Sequence, residues 1–344
     1  MSPIGPMRPM SPIHTLAAAY AAYLRRSETC AYPPTRVWVE AASHCNLQCL
    51  FCGNRMLDKN DRGFMEFDLF ARLADEASGV VRQFNLFHRG ESLLHPRIGE
   101  MIRYASVRGL RTRIHTNGTQ LNHDLAVELI ESGLDVLSFS FDGYDKEMYE
   151  LNRPGASFDI VLSNILDLLA AKKKSGSRKP FVALELMDIA DSPRGELMRK
   201  RKDFLRRFEG LPLDKFVIRR PHNWGGLVNI TSAPENVRRT ACPLLWHALV
   251  VFWDGKVLPC PQDFFGALQL GDANNERLMD IWNGDSLRAL RREMSRPESL
   301  ERKPCVDCDR ILRATFAGIP TDYLGRFLSE TVFDNSWLGR KLPH

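Results

Sequence analysis

Apolar and polar positions alternate in blocks along the middle of the chain. Short apolar runs typical of β-strands occur at residues 37–41, 83–88, 111–115, 136–141, 181–187 and 215–219. Between them lie amphipathic stretches typical of α-helices, at residues 68–76, 98–107, 125–132 and 158–172. Regular alternation of this kind predicts an α/β fold, in which helices cover the outside of a parallel sheet.

The pattern changes after Trp224-Gly225-Gly226. Two apolar runs, at residues 247–252 and 257–260, flank Asp254-Gly255, and this arrangement is a strong signal for a β-hairpin. Helical patterns follow at residues 277–282 and 286–294. We therefore predict an N-terminal extension (residues 1–34), an α/β domain (35–225) and a small C-terminal α+β domain with a tail (226–344).

Three of the eight cysteines stand close together just after the first predicted strand. Cys45, Cys49 and Cys52 have the spacing C-x3-C-x2-C. Three thiolates on one short loop can hold three irons of a [4Fe–4S] cluster and leave the fourth iron open to a small molecule. A structural zinc site usually combines two cysteine pairs or Cys/His pairs, and a disulfide framework is typical of smaller secreted chains. The spacing therefore favours an iron–sulfur cluster over both alternatives.

With Phe51 at the aromatic position, this segment resembles the C-x3-C-x-aromatic-C signature of the radical S-adenosylmethionine (SAM) superfamily. Further motifs follow in the order that the family shows, each after a strand-like run. By this resemblance, the expected SAM contacts are Gly90 and Glu91 in Phe87-His88-Arg89-Gly90-Glu91, Thr116 and Asn117 in Thr116-Asn117-Gly118, Ser140 in Ser138-Phe139-Ser140, and Arg153 in Asn152-Arg153-Pro154. The family's Gly-Gly-Glu motif has Arg89 in place of its first glycine here, and we expect this departure to change the local turn.

The resemblance also implies an architecture and a chemistry. It implies a partial (β/α)6 barrel, and in parallel barrels the active site lies at the C-terminal ends of the strands, where these motifs fall. It implies that SAM binds the open iron and is cleaved reductively to methionine and a 5′-deoxyadenosyl radical, which abstracts hydrogen from a substrate. An external electron donor such as flavodoxin or ferredoxin is then expected as a partner.

A second cysteine set lies in the C-terminal region. Its members are Cys242, Cys260, Cys305 and Cys308, spaced C-x17-C and C-x2-C. Such a set can hold a structural zinc ion or a fully ligated [4Fe–4S] cluster, and the spacing does not decide between them. The segments 255–260, 270–272 and 280–282, together with the closing C-x2-C, resemble the SPASM/twitch extension of radical SAM enzymes, which implies a second, auxiliary [4Fe–4S] cluster. Because no cysteine follows Cys308, the single-cluster form is favoured, and Cys30 is predicted to be an ordinary buried thiol.

A fully ligated cluster cannot bind SAM, but it can accept the electron left on a substrate radical. A carbon radical beside a deprotonated hydroxyl loses an electron readily and becomes a carbonyl, so this step needs a base. The candidate catalytic bases are Glu185, His222 and Asp263, with His88 and His115 as further candidates. Arg219 and Arg220, at the end of the last predicted strand, are candidates for holding an acidic group of the substrate.

Composition restricts the partners and the compartment. Hydrophobic residues make up 44% of the 344 residues and charged residues 26%, which is ordinary for a globular chain, and the net charge of +5 does not indicate nucleic acid. The basic runs at residues 172–179 and 199–207 lack interleaved aromatic residues and are interpreted as a solvated loop and the wet face of a helix. The apolar stretch at residues 15–23 is too short for a membrane span and is interpreted as a short helix. We expect a cytoplasmic protein.

Three classes of function remain at this point. The first is a radical SAM oxidoreductase or lyase that dehydrogenates or decarboxylates a small hydroxylated molecule, such as a sugar, aminocyclitol or nucleoside. The second is a peptide- or protein-modifying enzyme of the SPASM type (RiPP or sulfatase maturation); residues 1–34 are too few for the leader-binding domain that many of these enzymes carry. The third is a non-enzymatic metal-binding module, which would not need the open-iron triad together with the SAM motifs.

Overall fold

The computed structural model describes residues 10–187, 194–219, 221–228, 237–316 and 319–321. The helices within these ranges are α1 (Pro12–Arg25), α2 (Phe67–Ala77), α3 (Ile98–Ser106), α4 (His123–Glu131), α5 (Lys146–Asn152), α6 (Phe158–Ser175), α7 (Arg194–Leu205), α8 (Leu278–Trp282) and α9 (Asp285–Met294). The strands are β1 (Arg36–Val39), β2 (Gln83–Asn85), β3 (Arg111–Thr116), β4 (Val136–Ser140), β5 (Phe181–Met187), β6 (Lys215–Arg219), β7 (Arg238–Arg239), β8 (Ala248–Val251), β9 (Lys256–Leu258), β10 (Gly271–Asp272), β11 (Leu312–Arg313), β12 (Thr315–Phe316) and β13 (Ile319–Pro320).

The central sheet confirms the predicted α/β fold. Strands β1 to β6 pair in sequence order, and each neighbouring pair is parallel. Each crossover between them carries at least one helix, as a parallel pairing requires. Alternate residues of β3 are buried, with Thr112, Ile114 and Thr116 on the covered face and the other residues less buried. The opposite face of the sheet thus stays available for polar side chains.

The C-terminal hairpin is part of this same sheet. Strand β8 pairs with β1 in parallel over four residues, and β9 and β10 extend the sheet by antiparallel pairing. The strand order is therefore β10-β9-β8-β1-β2-β3-β4-β5-β6. The hairpin at Asp254-Gly255 was predicted from local pattern, but its attachment to β1 was not. The domain boundaries at 34/35 and 225/226 stay predictions, although the pairing of β8 with β1 crosses the second of them.

The N-terminal extension packs against the C-terminal region. The Tyr23 hydroxyl in α1 donates a hydrogen bond to the Ala241 carbonyl at 3.1 Å, and the Tyr23 and Trp246 rings meet edge to face. The Trp282 indole donates to the Tyr32 carbonyl at 2.7 Å. Cys30 is buried in the same layer, as predicted. Residues distant in sequence thus form one apolar layer beside β1 and β8.

The basic run at residues 172–179 needs a correction. Residues up to Ser175 belong to α6, and Lys172 is buried, with its ammonium donating to the Asp214 carboxylate at 2.6 Å. Only the remainder of the run is a loop. The sequence pattern could not show this partner, because Asp214 lies 42 residues further along the chain.

Candidate active site

The first cysteine set lies on the loop that leaves β1. The backbone of this loop is held by the end of α5 and the segment after it: Leu50 N–H donates to the Asn152 carbonyl at 3.3 Å, and Gln48 N–H donates to the Pro154 carbonyl at 3.2 Å. Cys52 N–H donates to the Cys49 carbonyl at 3.3 Å, which closes a turn between these two cysteines. The loop conformation is therefore fixed by backbone contacts that need no metal.

Burial sets the protonation of these thiols. It raises the pKa of Cys45 to about 12 and raises the pKa of Cys49 and Cys52 above the usual value. Two polar groups approach the sulfurs: Asn117 Nδ2 lies 3.9 Å from Cys45 Sγ, and Arg153 Nη1 lies 3.8 Å from Cys49 Sγ. Metal binding at such thiols displaces their protons, and nearby donors then stabilise the thiolates. The donor set fits an iron–sulfur cluster.

Glu91 joins several of the predicted SAM residues. Its buried carboxylate accepts hydrogen bonds from Thr116 Oγ1 at 2.6 Å, from Asn117 N–H at 2.7 Å and from Leu93 N–H at 3.0 Å. Gly90 lies so close to the cysteine loop that a Cβ there would stand 2.4 Å from the His44 carbonyl oxygen. The structure therefore brings Gly90, Glu91 and Asn117 together beside Cys45.

The other predicted SAM residues each make contacts of their own. Arg153 forms a buried ion pair with Asp142, with 2.5 Å between Nη2 and Oδ2. The Ser140 hydroxyl lies 2.5 Å from His115 Nε2, and the Phe51 carbonyl accepts a hydrogen bond from the Trp224 indole at 3.1 Å. Their roles in binding SAM stay predictions.

Arg89, the departure from the family's glycine, has a defined role. Its guanidinium makes two hydrogen bonds of 2.7 Å to the carboxylate of Glu40, at the end of β1, and both side chains are buried. The guanidinium carbon also lies 3.5 Å from the centre of the Phe252 ring, next to the hairpin. The Trp253 N–H donates to Glu40 at 3.2 Å. We call Glu40, Arg89, Phe252 and Trp253 the β1–hairpin bridge.

This bridge continues toward the second cysteine set. His88 Nε2 lies 3.0 Å from the Pro261 carbonyl oxygen, directly after Cys260, and His88 Nδ1 lies 3.8 Å from Glu40. Burial raises the pKa of Glu40, but the hydrogen bonds and charges of Arg89 and His88 outweigh burial and hold this pKa below its ordinary value. The loop that carries Gly90 and Glu91 is thus tied to the loop that carries Cys260.

A polar network covers the inner face of β3 to β6. Glu185 accepts hydrogen bonds from Arg113 at 2.6 Å and from Arg219, and Arg113 also reaches the Ser138 hydroxyl at 3.2 Å. Burial raises the pKa of Glu185, but the charge of His115, which is present once that ring is protonated in acid, and the charges of Arg113 and Arg219 outweigh this effect and hold the pKa at about 2. Burial lowers the pKa of His115 to about 4, so His115 is neutral at pH 7.

The three candidate bases do not form one site. Glu185 is committed to two arginines, and a carboxylate with so low a pKa is a weak base. Asp263 accepts backbone hydrogen bonds from Ala267 at 2.8 Å and Leu268 at 2.7 Å, which gives it a structural role in a turn. Burial lowers the pKa of His222 to about 3. Within the described part of the chain no hydrogen bond links these three side chains, and the catalytic base stays a prediction.

Of the two arginines expected to hold an acidic group of the substrate, the structure describes only Arg219. Arg219 is paired with Glu185 and lies at the end of β6, whereas Arg220 lies outside the described residues.

The second cysteine set surrounds one small cavity. Cys242, Cys260, Cys305 and Cys308 all line it, together with Gln262 and with apolar residues from the neighbouring helices and loops. Burial raises the pKa of Cys308 to about 12, and the pKa of the other three thiols is also raised by burial. Within the described ranges, no three Cys, His, Asp or Glu side chains are arranged around a single metal ion. The donor chemistry of the cavity, four thiols in an apolar shell, fits a fully ligated cluster.

Sequence reasoning missed several residues that build the site. Asn54 donates from Nδ2 to the carbonyls of Ser43 and Arg89, both at 2.8 Å, and so joins the cysteine loop to the Gly90–Glu91 loop. Trp224 covers Phe51 from the segment after β6. A signal existed for Glu40, because an acidic residue directly after an apolar strand must find a cationic partner when it is buried. Arg89 was the unassigned cation.

Comparison with known proteins decides the family. The model of the radical SAM superfamily matches residues 39–179, and the model of the SPASM iron–sulfur cluster-binding domain matches residues 242–309. The chain belongs to the radical SAM superfamily. Both matched segments contain a complete cysteine set, and the family brings with it SAM, a SAM-binding [4Fe–4S] cluster and an auxiliary cluster.

Relatives cover most of the chain at low identity. A tungsten-containing aldehyde ferredoxin oxidoreductase cofactor-modifying protein of Pyrococcus furiosus is 22% identical over 72% of this chain and 81% of its own length. The SAM-dependent 2-deoxy-scyllo-inosamine dehydrogenase of Niallia circulans is 22% identical over 79% of this chain and 92% of its own length. The solved structure of Streptococcus suis SuiB bound to the precursor peptide SuiA superposes with a TM-score of 0.61 at 16% identity, over 85% of this chain and 73% of that one. This last likeness shows the fold.

Among the described residues, no helix has both the length and the apolar character that a membrane span requires.

Proposed function

We propose that this radical SAM enzyme abstracts hydrogen from a small hydroxylated molecule, of the sugar, aminocyclitol or nucleoside type, and that dehydrogenation or decarboxylation follows. The single observation that carries the proposal is the pairing of two separate cysteine sets. One set adjoins Glu91 and Asn117, and the other is closed within an apolar cavity. An open site for SAM beside a closed electron acceptor is the arrangement that a net oxidation requires.

The residues of the chain divide this work between them. Cys45, Cys49 and Cys52 are proposed to hold the SAM-binding cluster, which supplies the electron for SAM cleavage when bound. Gly90, Glu91, Thr116 and Asn117 form the hydrogen-bonded wall beside it. Arg153, 3.8 Å from Cys49 Sγ and ion-paired with Asp142, places a fixed positive charge at the same loop. The polar groups at these positions support binding of the amino and carboxylate groups of SAM.

The C-terminal cysteines are proposed to hold the auxiliary cluster. Cys242, Cys260, Cys305 and Cys308 line one cavity, and the contact of His88 with the Pro261 carbonyl ties the loop of Cys260 to the Gly90–Glu91 loop. An electron that leaves the substrate therefore has a nearby acceptor. An external donor such as flavodoxin or ferredoxin is proposed to reduce the SAM-binding cluster.

The choice of a hydroxylated small molecule is supported by a relative. The 2-deoxy-scyllo-inosamine dehydrogenase matches along 92% of its own length, and its name states oxidation of an aminocyclitol. The polar face formed by Arg113, Ser138 and Glu185 suits a substrate rich in hydrogen-bonding groups.

The test measures hydrogen transfer directly. The chain, reconstituted anaerobically with iron and sulfide and reduced by dithionite, is incubated with SAM and aminocyclitols, sugars or nucleosides deuterated at their carbinol carbons. We expect deuterium in the 5′-deoxyadenosine that mass spectrometry detects. Cys45→Ala should reduce SAM cleavage at least 100-fold, whereas Cys30→Ala, which removes a buried thiol outside both sets, should leave it within a few-fold. Full cleavage by the Cys45 variant would overturn the assignment of the site.

The second candidate function is peptide or protein modification. The observation in its favour is the likeness of fold to SuiB bound to its precursor peptide. The same assay, run also with deuterated peptides, separates the two candidates: deuterium transferred only from the peptides, with none from any hydroxylated small molecule, would replace the first proposal by the second.

A further inference from the structure

The cavity of the second cysteine set contains one polar side chain besides the thiols. Gln262 follows Cys260 by two residues and lines the cavity together with all four cysteines. Its side chain is 7% exposed, and its Oε1 is buried without a hydrogen-bond partner in the described part of the chain. An unpartnered buried amide is rare in folded proteins and raises the free energy of the folded state.

The described surroundings offer Oε1 of this amide no protein partner. The other described residues that line the cavity are apolar: Leu245, Pro259, Met294, Pro304 and Ile311. Asp263, the next residue, is already engaged with the N–H groups of Ala267 and Leu268. The partner of Gln262 must therefore be whatever the four cysteines hold.

The chemistry of that occupant decides which end of the amide faces it. Four thiolates around a [4Fe–4S] core carry a net negative charge, so an N–H donor is attracted and a carbonyl oxygen is repelled. A half-turn of the carboxamide exchanges Oε1 and Nε2 without moving the rest of the side chain. Gln262 can thus present Nε2–H to the cavity.

We propose that Gln262 donates an N–H···S hydrogen bond to the auxiliary cluster and raises its reduction potential. The proposal rests on the proposed assignment of that cluster to Cys242, Cys260, Cys305 and Cys308. A donor stabilises the more negative, reduced cluster more than the oxidised one, and hydrogen bonds to sulfur are an established means by which proteins set cluster potentials. Gln262 therefore tunes the reduction potential of the auxiliary cluster and makes it a better electron acceptor.

The experiment measures the potential of the auxiliary cluster by itself. In the full chain carrying Cys45→Ala, Cys49→Ala and Cys52→Ala, iron is counted and the cluster is titrated electrochemically with detection by electron paramagnetic resonance. Gln262→Met removes the donor at similar volume and should lower the reduction equilibrium constant about tenfold, which is about 59 mV for one electron. Gln262→Glu, which replaces the donor by an acceptor, should lower it further. The matched control is Gln269→Met, at an exposed position of the same segment, and it should change nothing.

The outcomes distinguish the role of Gln262 from the cluster assignment on which that role rests. About four irons with an unchanged potential in Gln262→Met would overturn the role of Gln262 and leave the cluster assignment standing. No iron in the triple-alanine chain would overturn the assignment, and the role of Gln262 with it.

A second measurement tests the hydrogen bond in case Gln262→Met does not retain the cluster. In the triple-alanine chain with Gln262 intact and ¹⁵N in its glutamine side chains, pulsed electron paramagnetic resonance should detect a nitrogen coupled to the reduced cluster. This coupling should persist in Gln269→Met. Its absence from the chain with Gln262 would contradict the hydrogen bond directly.

Discussion

Arg89 shows at the scale of one residue how a departure from a family motif can be compensated. Glycine at this position would leave the buried Glu40 carboxylate without its guanidinium partner and with only the His88 ring near it. With arginine, the carboxylate has two short hydrogen bonds, and the guanidinium lies on the Phe252 ring. Removing one partner of a buried ion pair costs about 3–5 kcal/mol, because the other charge is left unpaired. The pair therefore constrains both positions together.

A double-mutant cycle tests this pair. Arg89→Met should lower the free energy of unfolding by about 3 kcal/mol, and Glu40→Gln by a similar amount. The double variant should be less destabilised than the sum, because neither charge then remains buried alone. Chemical denaturation measures all four proteins. Strict additivity would show that the two side chains do not stabilise each other.

Glu185 gives a prediction with a pH dependence. Its pKa in the folded protein, about 2, is below that of the unfolded chain, so its stabilising effect is complete above the unfolded pKa and is lost as the pH falls from about 4.5 to 2. Glu185→Gln should therefore be less stable than the parent at pH 7, by up to about 3 kcal/mol, since one pKa unit corresponds to about 1.4 kcal/mol.

The difference between these two proteins should shrink steadily on acidification toward pH 2. Denaturation curves at several pH values measure it. Glu100→Gln is the control, because Glu100 and its partner Arg97 are both about half exposed and their ion pair contributes little. A gap that stayed constant with pH would contradict the ion pairing of Glu185.

At the scale of elements, sequence pattern located the strands and helices but not all of their neighbours. The six strands β1 to β6 and helices α2, α3, α4 and α6 appear where periodicity indicated them, because periodicity depends on residues within one element. The cysteine loop follows the first of these strands, β1, as the sequence pattern indicated. The pairing of β8 with β1 joins residues more than 200 positions apart, and no local pattern reports it.

The candidate site also combines residues that local sequence predicts with residues that it does not. The cysteines and the residues Gly90, Glu91 and Asn117 could be predicted, because family motifs are contiguous in sequence. The β1–hairpin bridge and Gln262 could not, because each takes its meaning from a partner on another element. Lys172 was misassigned for the same reason.

Strand β8 carries a prediction at this scale. Val250 lies between two partners, Trp38 on β1 and Leu258 on β9, so it has sheet neighbours on both sides. Val250→Pro removes a backbone donor inside the sheet and should disrupt the strand. Iron content should then fall at both cysteine sets. Val250→Ala keeps the backbone donor and should retain both clusters. Normal iron content in the proline variant would show that the two sites do not depend on this strand.

The whole molecule is organised around one sheet of nine strands, with both cysteine sets attached to it. Among the described residues, the N-terminal helix, the parallel strands and one side of the hairpin share a large apolar core, and Val250, Phe252 and Leu258 form a second, small cluster with Trp38. A common core of this kind favours cooperative unfolding, because no part can leave without exposing the surface of another.

Calorimetry of the metal-free chain tests this organisation. We expect one unfolding transition, whose calorimetric enthalpy equals its van't Hoff enthalpy. Tyr23→Ala, which removes the contact of α1 with Trp246 and Ala241, should lower the temperature of that transition without splitting it. Two resolved transitions in the parent protein would show that residues 35–225 and 226–344 unfold separately.

The continuous sheet also bears on the timing of electron exchange. Since β8 is hydrogen-bonded to both β1 and β9, the loop after β1 that carries Cys45 and the loop after β9 that carries Cys260 are attached to the same sheet. Two redox centres on one sheet keep a constant tunnelling distance and need no hinge motion to approach each other. Electron passage between them should therefore proceed at the same rate in dilute buffer and in viscous glycerol solution.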